Sequence, residues 1–378
     1  MKIFHLITSI DNGGAENHLA SLVKEQIKKN EVTVIYLKGN DYWKKKLLFK
    51  GVRVIRFNLE NIANIVKLFL TIYKINKLIS EKKPEIVHSH LSSMELIGAI
   101  LKFISNNQFK FIVTKHLDSF FLEASNGQNN FIQGKLLDFF IFKNADRIIC
   151  ISKQIKKYFL KKIKVPKKKL KVIYYGLNQS DLRLKKSNLQ HRKIKNIKKN
   201  FLICCIARHV KQKSLDFLIK GFYEFRKKNI NSKLILVGNG PETKKLKMLS
   251  NDLKLNNEII WIGYSENVLN ILKLSNVFVL PSRYEGFGLV LLEAMYAKKP
   301  IIASNVSAIP EVIKNNWNGL LFKYNSIKEF NLQLLKIKNK NISKKFIKNS
   351  QITLNKKFNF NKMIHSTYEI YHEAIIKS

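Results

Sequence analysis

At 378 residues the chain has room for two domains, or three, and its 46% hydrophobic and 11% aromatic content excludes a disordered basic tail. Against 26 acidic residues stand 69 Lys and Arg, and the formal charge of +43 favours anionic partners: nucleic acid, an acidic membrane surface or an anionic small substrate. Three cysteines, Cys150, Cys204 and Cys205, exclude a disulfide framework, and the lack of a C-x-x-C pair fits a reducing cytosol.

The lysines are spread along the whole chain and not gathered on one predicted face, so most of the charge reads as compositional drift in a chain rich in Lys, Asn and Ile. The opening segment KIFHLITSI turns polar too quickly for a signal peptide. No apolar run reaches the roughly 18 residues needed to span a bilayer. The nearest, Ile62 to Ile75, is interrupted by Asn64, Lys67 and Lys74. A soluble or peripheral protein is expected.

Lys2 to Ser9 reads as a buried strand, and Asp11, Asn12, Gly13 and Gly14 lead from it into a helix from about Ala15 to Lys29. A strand that passes through two glycines into a helix lets backbone approach an anion closely. Val32 to Leu37 and Val52 to Phe57 are further strands. Asn61 to Lys82 is a helix whose apolar stripe, Ile62, Ile65, Val66, Phe69, Ile72 and Tyr73, is expected mostly in the core, with a basic membrane-surface patch as the lesser use. Glu85 to Ser89 is a strand ending in IVHSHL. His88 and His90 share a face, which raises zinc, but no nearby Cys, Asp or third His completes a set, so no metal is expected. Phe109 to Thr114 delivers Lys115, His116 and Asp118 to the C-terminal end of a strand, where doubly wound sheets bind ligands. Ser119 to Asn130 has no period and reads as a mobile loop. Ala145 to Ser152 is a strand, followed by the basic helix Lys153 to Lys162 and by VPKKKLKVIYYGLN. The polar, lysine-rich stretch Asn178 to Asn200 reads as a linker, with a domain boundary near residue 180.

Phe201 to Ala207 opens a second α/β unit, with Cys204 and Cys205 pointing to opposite faces as inert core residues. Arg208 follows at once, and Lys213 precedes the helix Leu215 to Lys228. Two cations on that loop suit a diphosphate, Arg through its bidentate fork and Lys as a point charge. Lys233 to Val237 leads into Gly238, Asn239 and Gly240, but this G-x-G lacks the third glycine and the strand-end acid of a dinucleotide fingerprint. Glu258 to Ile262 is the next strand, leading into Gly263 and Tyr264. The apolar run Asn276 to Leu280 then stops at Pro281. Arg283, Glu285, Gly286, Phe287 and Gly288 form a turn, after which Leu289, Leu292, Met295 and Tyr296 repeat at helical spacing. That helix start aims N–H groups and a positive dipole end at an anion, while Glu285 before it and Glu293 two turns inside it can accept from sugar hydroxyls. Pro300 to Ala303 is a strand, Glu311 a helix-start acid, and the chain from Ser326 is helical, ending in Asn361 to Ile376.

The string EGFGLVLLEAM resembles the E-x7-E signature of the family 4 retaining nucleotide-sugar glycosyltransferases, with Glu285 and Glu293 as its two acids. GGAE at residues 13–16, ADRIICIS at 145–152 and the segment after it resemble the family in the expected order, so the likeness covers about residues 1 to 320. Ala207, Ser214, Ser307 and Ala308 stand where the family usually carries glycines.

The resemblance implies the α/β GT-B fold, two Rossmann-like doubly wound domains facing across a cleft. Residues 1–180 would form an acceptor-side domain, with Ser119 to Asn130 a natural place for acceptor specificity. Residues 181–360 would form the nucleotide-sugar domain, and 361–378 a helix crossing back to the first. The resemblance further implies that Arg208, Lys213 and the helix start at Gly286, Phe287, Gly288 and Leu289 hold the departing diphosphate. Glu285 would position the donor sugar, Glu293 would bind the ribose hydroxyls, and His116 with the Gly13–Gly14 loop would contact the sugar. Glu285 and His116 are thus the catalytic candidates. No metal or other cofactor is expected, since fixed cations neutralise the leaving group and no D-x-D is present.

The implied activity is retaining transfer of a hexose or N-acetylhexosamine from a nucleoside-diphosphate sugar to a saccharide or lipid-linked acceptor, in synthesis of bacterial cell-surface polysaccharide such as O-antigen, lipopolysaccharide or capsule. The implied place is the cytoplasm, with an anionic membrane surface, the inner face of the plasma membrane, as a further partner. Two other readings stand beside it: a GT-B sugar-nucleotide epimerase or phosphorylase, and a basic nucleic-acid-binding protein. The latter lacks any of the usual nucleic-acid motifs, and no nucleic-acid partner is expected.

Overall fold

The computed structural model describes residues 1–48, 50–105, 108–117, 131–182, 199–266 and 268–376. The expected loop Ser119–Asn130, Asp118 before it and most of the expected linker Asn178–Asn200 lie outside the described residues. The chain forms two compact units, Met1–Gly176 together with Phe360–Ser378, and Leu177–Asn359.

The first unit is built on a seven-stranded parallel sheet of β1 (Lys2–Ser9), β2 (Glu31–Lys38), β3 (Arg53–Arg56), β4 (Ile86–His90), β5 (Lys110–Lys115), β6 (Arg147–Cys150) and β7 (Leu170–Val172), in the order β3-β2-β1-β4-β5-β6-β7. The second carries six parallel strands, β8 (Phe201–Ile206), β9 (Ser232–Val237), β10 (Ile259–Ile262), β11 (Val277–Leu280), β12 (Ile301–Ser304) and β13 (Leu320–Phe322), in the order β10-β9-β8-β11-β12-β13. Strands covered by helices on both faces must be apolar nearly throughout, which is why runs such as Ile3 to Ile7 and Val277 to Leu280 lack the alternation of a half-solvated sheet. Strand order reverses between β1 and β4 in the first sheet and between β8 and β11 in the second. Both are switch points, where diverging loops open a crevice at the carboxyl ends.

The last helix, Phe360–Ile376, packs in the first unit, where Met363, Ile370, Tyr371 and Ala374 join Ile3, Ile86, Ile112, Ile149 and Ile173 in one buried cluster. In the second unit Phe217 lies parallel to Phe322 at 5.6 Å, with Phe330 edge-on to Phe217 at 5.8 Å. All three cysteines are buried and free. Burial pushes the Cys150 and Cys204 thiols up to about 12 and Cys205 further still, so none is a thiolate near neutral pH.

One expected core stripe is corrected. The helix Ile65–Lys82 starts at Asn64, whose side chain accepts from the Lys67 backbone N–H at 3.0 Å, and it buries Thr71, Ile72, Ile75 and Ile79. Of the predicted stripe only Ile72 is fully buried, while Ile65, Val66, Phe69 and Tyr73 are 64%, 70%, 69% and 65% exposed. Periodicity finds an apolar face, but it cannot say how far along the helix a partner element extends.

At two of the positions where glycine was expected, the backbone takes the left-handed form that glycine favours. Ser214 has φ 47° and Ser307 φ 46°. The loops therefore keep their path with non-glycine residues, at a cost of about 1 kcal/mol each.

Candidate functional site

In the second unit the loops after β8, β9 and β11 are fastened to one another. A Cβ at Gly238 (φ 129°) would lie 2.1 Å from the Ala207 carbonyl oxygen, and one at Gly240 would lie 2.3 Å from that of His209. The His209 N–H donates to Asn239 at 2.9 Å, and Glu242 N–H donates back to His209 at 3.0 Å. The two glycines of the G-x-G thus serve close packing of loop on loop. On the other side, Arg283 N–H donates to the Gln212 carbonyl at 2.8 Å, and the Gln212 side chain donates to the Tyr284 carbonyl at 3.0 Å.

That lacing brings together two residues 72 positions apart. Lys213 Nζ donates to Glu285 Oε1 at 2.6 Å, and Ser282 Oγ donates to the same oxygen at 2.7 Å. Ser304 Oγ donates to the Ser282 carbonyl at 2.6 Å and steadies that turn. Glu285 is 7% exposed, so its ion pair with Lys213 works in a medium less screening than water. Arg208 stands exposed at the carboxyl end of β8. Ser282, Gln212 and Ser304 were missed by sequence reasoning. Ser282 was within reach, since a serine three residues before a glutamate is the spacing of a local side-chain tie.

Beyond Glu285 the chain passes through Gly286, the buried Phe287, whose ring meets Phe358 edge-on at 5.4 Å, and Gly288 at φ 87°. Phe287 places its side chain in the core. The helix Leu289–Tyr296 then begins without a side-chain cap; the Leu291 N–H donates to the Gly288 carbonyl at 2.9 Å, and no side chain caps the N–H groups of Leu289 and Val290. Glu293 sits on that helix, and burial pushes its carboxyl up to about 7.

In the first unit, β1, β4 and β5 set side chains on one face of the sheet, with His5 opposite His88 and His90 opposite Thr114. The expectation that His88 and His90 lack a third partner is corrected here. His5 comes alongside, and ligand-capable atoms of His5, His88 and His90 lie within 4.8 Å of one another. It was missed because only strand register joins residues 83 apart. His116 is buried and fully engaged: its Nε2 faces His90 Nδ1 at 3.2 Å and its Nδ1 faces the Tyr175 hydroxyl. His18 stacks on Tyr175 at 4.5 Å. Burial holds His5 down at about 4 and His18 at about 3, with His88, His90 and His116 well below the ordinary imidazole value, so the cluster is neutral at pH 7. Gly13 is the N-cap of the helix Gly14–Gln26, again without a side-chain cap, and Ser9 Oγ donates to Glu16 at 2.8 Å beside it.

Residues 12–181 match the family described as Glycosyltransferase Family 4, and residues 187–353 match Glycosyl transferases group 1. The chain is 29% identical over 387 residues to the uncharacterized glycosyltransferase MJ1069 of Methanocaldococcus jannaschii, covering 96% of this chain and 95% of that one. It is 26% identical over 319 residues to the UDP-Gal:alpha-D-GlcNAc-diphosphoundecaprenol alpha-1,3-galactosyltransferase of Escherichia coli, covering 83% and 81%. Among solved structures, Anabaena Alr3699/HepE in complex with UDP and glucose superposes with a TM-score of 0.84 at 20% identity, over 98% of both chains. With the fold, the ordered motifs and both halves matched, the chain belongs to the family 4 glycosyltransferases of GT-B fold.

Proposed function

We propose that this glycosyltransferase moves a hexose or N-acetylhexosamine, with retention of anomeric configuration, from a UDP-sugar to a saccharide or lipid-linked acceptor in cell-surface polysaccharide synthesis. The observation that carries the proposal is the laced turn in which Lys213, Glu285 and an uncapped helix start meet on one set of loops. A departing diphosphate needs positive charge set in place before the reaction, because groups that need not reorganise stabilise the transition state most. Lys213, Arg208 and the N–H groups around Gly288 and Leu289 supply it without a metal ion. Glu285 positions the sugar, and Glu293 accepts from the ribose hydroxyls. The assignment of Gly13, Gly14 and His116 to the sugar rests on the family resemblance. The Escherichia coli relative's name specifies UDP-Gal and a diphosphoundecaprenol-linked acceptor, and the HepE structure holds UDP and glucose; both agree with this choice of donor and acceptor class. Incubation with UDP-sugars and a lipid-linked saccharide, followed by NMR of the product, tests the reading. The expected product keeps the donor's anomeric configuration, whereas an isomerised sugar nucleotide formed without acceptor would mean an epimerase.

The raised Glu293 carboxyl gives a pH signature. A carboxylate accepts from the ribose hydroxyls with both oxygens and a full charge, whereas the neutral acid turns one oxygen into a donor, so the complex is weaker wherever the protein holds the proton, below about 7. UDP-glucose has no phosphate that titrates there, so its Kd should fall on the order of tenfold between pH 6 and pH 8. Titration calorimetry of wild type and Glu293→Gln checks this, the variant being expected to lose the dependence. A flat wild-type profile removes Glu293 from the ribose.

Among the described residues, no helix is long and apolar enough to cross a membrane. The exposed apolar end of Ile65–Lys82, flanked by Asn64, Lys67, Lys74 and Lys77 in a chain of net charge +43, is nevertheless suited to lie on an anionic bilayer from the cytoplasmic side. Flotation with anionic vesicles should carry the protein upward. Burying two such side chains contributes about 1.5–3 kcal/mol each, so Phe69→Glu with Tyr73→Glu should weaken binding about a hundredfold or more. Equal flotation of wild type and variant would clear this helix of the role.

A further inference from the structure

The buried histidines of the first unit form one hydrogen-bonded chain, and its direction can be read from a single atom. His5 Nε2 lies 2.6 Å from Gln26 Oε1, and a carbonyl oxygen can only accept. His5 therefore carries its proton on Nε2, and as a neutral ring it presents Nδ1 as an acceptor. His90 Nε2, 3.2 Å from that atom, is then the donor. The same step repeats: His90 Nδ1 accepts from His116 Nε2 at 3.2 Å, and His116 Nδ1 accepts from the Tyr175 hydroxyl. On the other side, the Gln26 amide nitrogen donates to the Tyr371 hydroxyl oxygen at 3.2 Å. The Tyr371 hydrogen is thereby directed to His88 Nδ1 at 2.7 Å, and His88 Nε2–H donates to Thr114 Oγ1 at 2.7 Å.

We propose that Gln26 is a positioning residue that sets the polarity of this chain, so that His116 is held as the neutral Nε2–H tautomer with Nδ1 as a pure acceptor. Every ring nitrogen of His5, His88, His90 and His116 has a complementary partner in the one direction, and no ring is called on to be charged. This filled arrangement is why the chain is preferred to a metal at His5, His88 and His90: a cation there would displace protons already placed, in a fully buried site with no carboxylate among these partners. Turning the Gln26 amide over would reverse every link, from Tyr175 to Thr114, and make His116 Nδ1 a donor. The polarity has a consequence for recognition. Whatever replaces the Tyr175 hydroxyl at His116 Nδ1 must itself donate a hydrogen, as a sugar hydroxyl does and a carboxylate or phosphate oxygen does not. That consequence rests on the reading of His116 as a sugar contact; the tautomers do not.

The test is long-range 1H–15N NMR of the full chain labelled at histidine, with lines assigned by single-histidine variants. In the wild type, His5, His88, His90 and His116 are expected as neutral Nε2–H rings at pH 7. In Gln26→Glu, both carboxylate oxygens accept, the Tyr371 hydrogen turns to them, and His88 alone should convert to the Nδ1–H form. Should that variant not fold, Tyr371→Phe takes its place and should leave His5, His90 and His116 unchanged, because those three depend only on Gln26 Oε1. An Nδ1–H or doubly protonated line from His5, His90 or His116 in the wild type overturns the proposal. So does an unmoved His88 in folded Gln26→Glu, a change in His5, His90 or His116 in Tyr371→Phe, or displacement of the His5, His88 and His90 lines by one equivalent of Zn2+. Failure of the sugar-contact reading would look different: His116→Gln would transfer sugar with an unchanged donor KM while the wild-type tautomers stayed as expected.

Discussion

Lys213→Ala is expected to lower kcat/KM for the nucleotide sugar by about 10²–10³-fold, the cost of removing one fixed group that stabilises charge developing in a transition state. The effect has two sources. The ammonium group is lost to the leaving diphosphate, and Glu285, 7% exposed, loses the counter-charge 2.6 Å from its Oε1. These separate experimentally. Lys213→Arg keeps the charge but not the point geometry, and should recover part of the loss; Glu285→Gln keeps the size of the side chain and releases Lys213. In steady-state assays with UDP-sugar, an alanine variant within threefold of wild type would remove Lys213 from the leaving diphosphate and show that Glu285 works without its counter-charge.

Lys115→Met is expected to destabilise the first unit by about 3–5 kcal/mol, or to prevent its folding. Lys115 is fully buried, with Glu95 at 2.8 Å and Asp138 at 3.5 Å, both also fully buried. Removing the cation leaves two carboxylates in a low-dielectric interior without the positive charge that both of them face. The remedy follows from the same physics, since Lys115→Met combined with Glu95→Gln and Asp138→Asn removes all three charges and should restore much of the stability. Urea unfolding of the single and triple variants checks both statements. A single variant within about 1 kcal/mol of wild type would show that water reaches this triad.

The strands were legible in the sequence because a helix-covered parallel sheet demands short apolar runs closed by Gly, Pro or polar residues, and Lys2 to Ser9, Phe201 to Ile206 and Val277 to Leu280 each have that form. The helix start at Gly288 was legible for a related reason, an apolar period of 3.6 switching on just after glycines. What escaped the sequence was every feature that depends on which elements meet. His5 reaches His88 only through the register of β1 with β4. Lys213 meets Glu285 only because the Gln212 and Arg283 backbones are joined across 71 residues. The G-x-G at Gly238–Gly240, which falls short of a dinucleotide fingerprint in the sequence, serves as a packing contact, because a missing Cβ makes room for a neighbouring carbonyl as well as for a phosphate. The stripe on Ile65–Lys82 misled in the opposite way: its apolar residues suggested a core, and most of its first half faces solvent.

The central claim is that the Leu177–Asn359 unit grips the pyrophosphate of a sugar nucleotide with Lys213, Arg208 and the helix start at Gly288. Its most direct test is a thermal-shift panel of UDP-, GDP- and ADP-sugars, run on wild type and on Arg208→Ala with Lys213→Ala. A ligand at about 100 times its Kd stabilises the native state by about 2.7 kcal/mol, a shift of a few degrees in Tm. The account predicts that at least one UDP-sugar raises the wild-type Tm by that much and leaves the double variant unmoved. A wild type that ignores every sugar nucleotide, or a double variant that responds as fully as wild type, would contradict it.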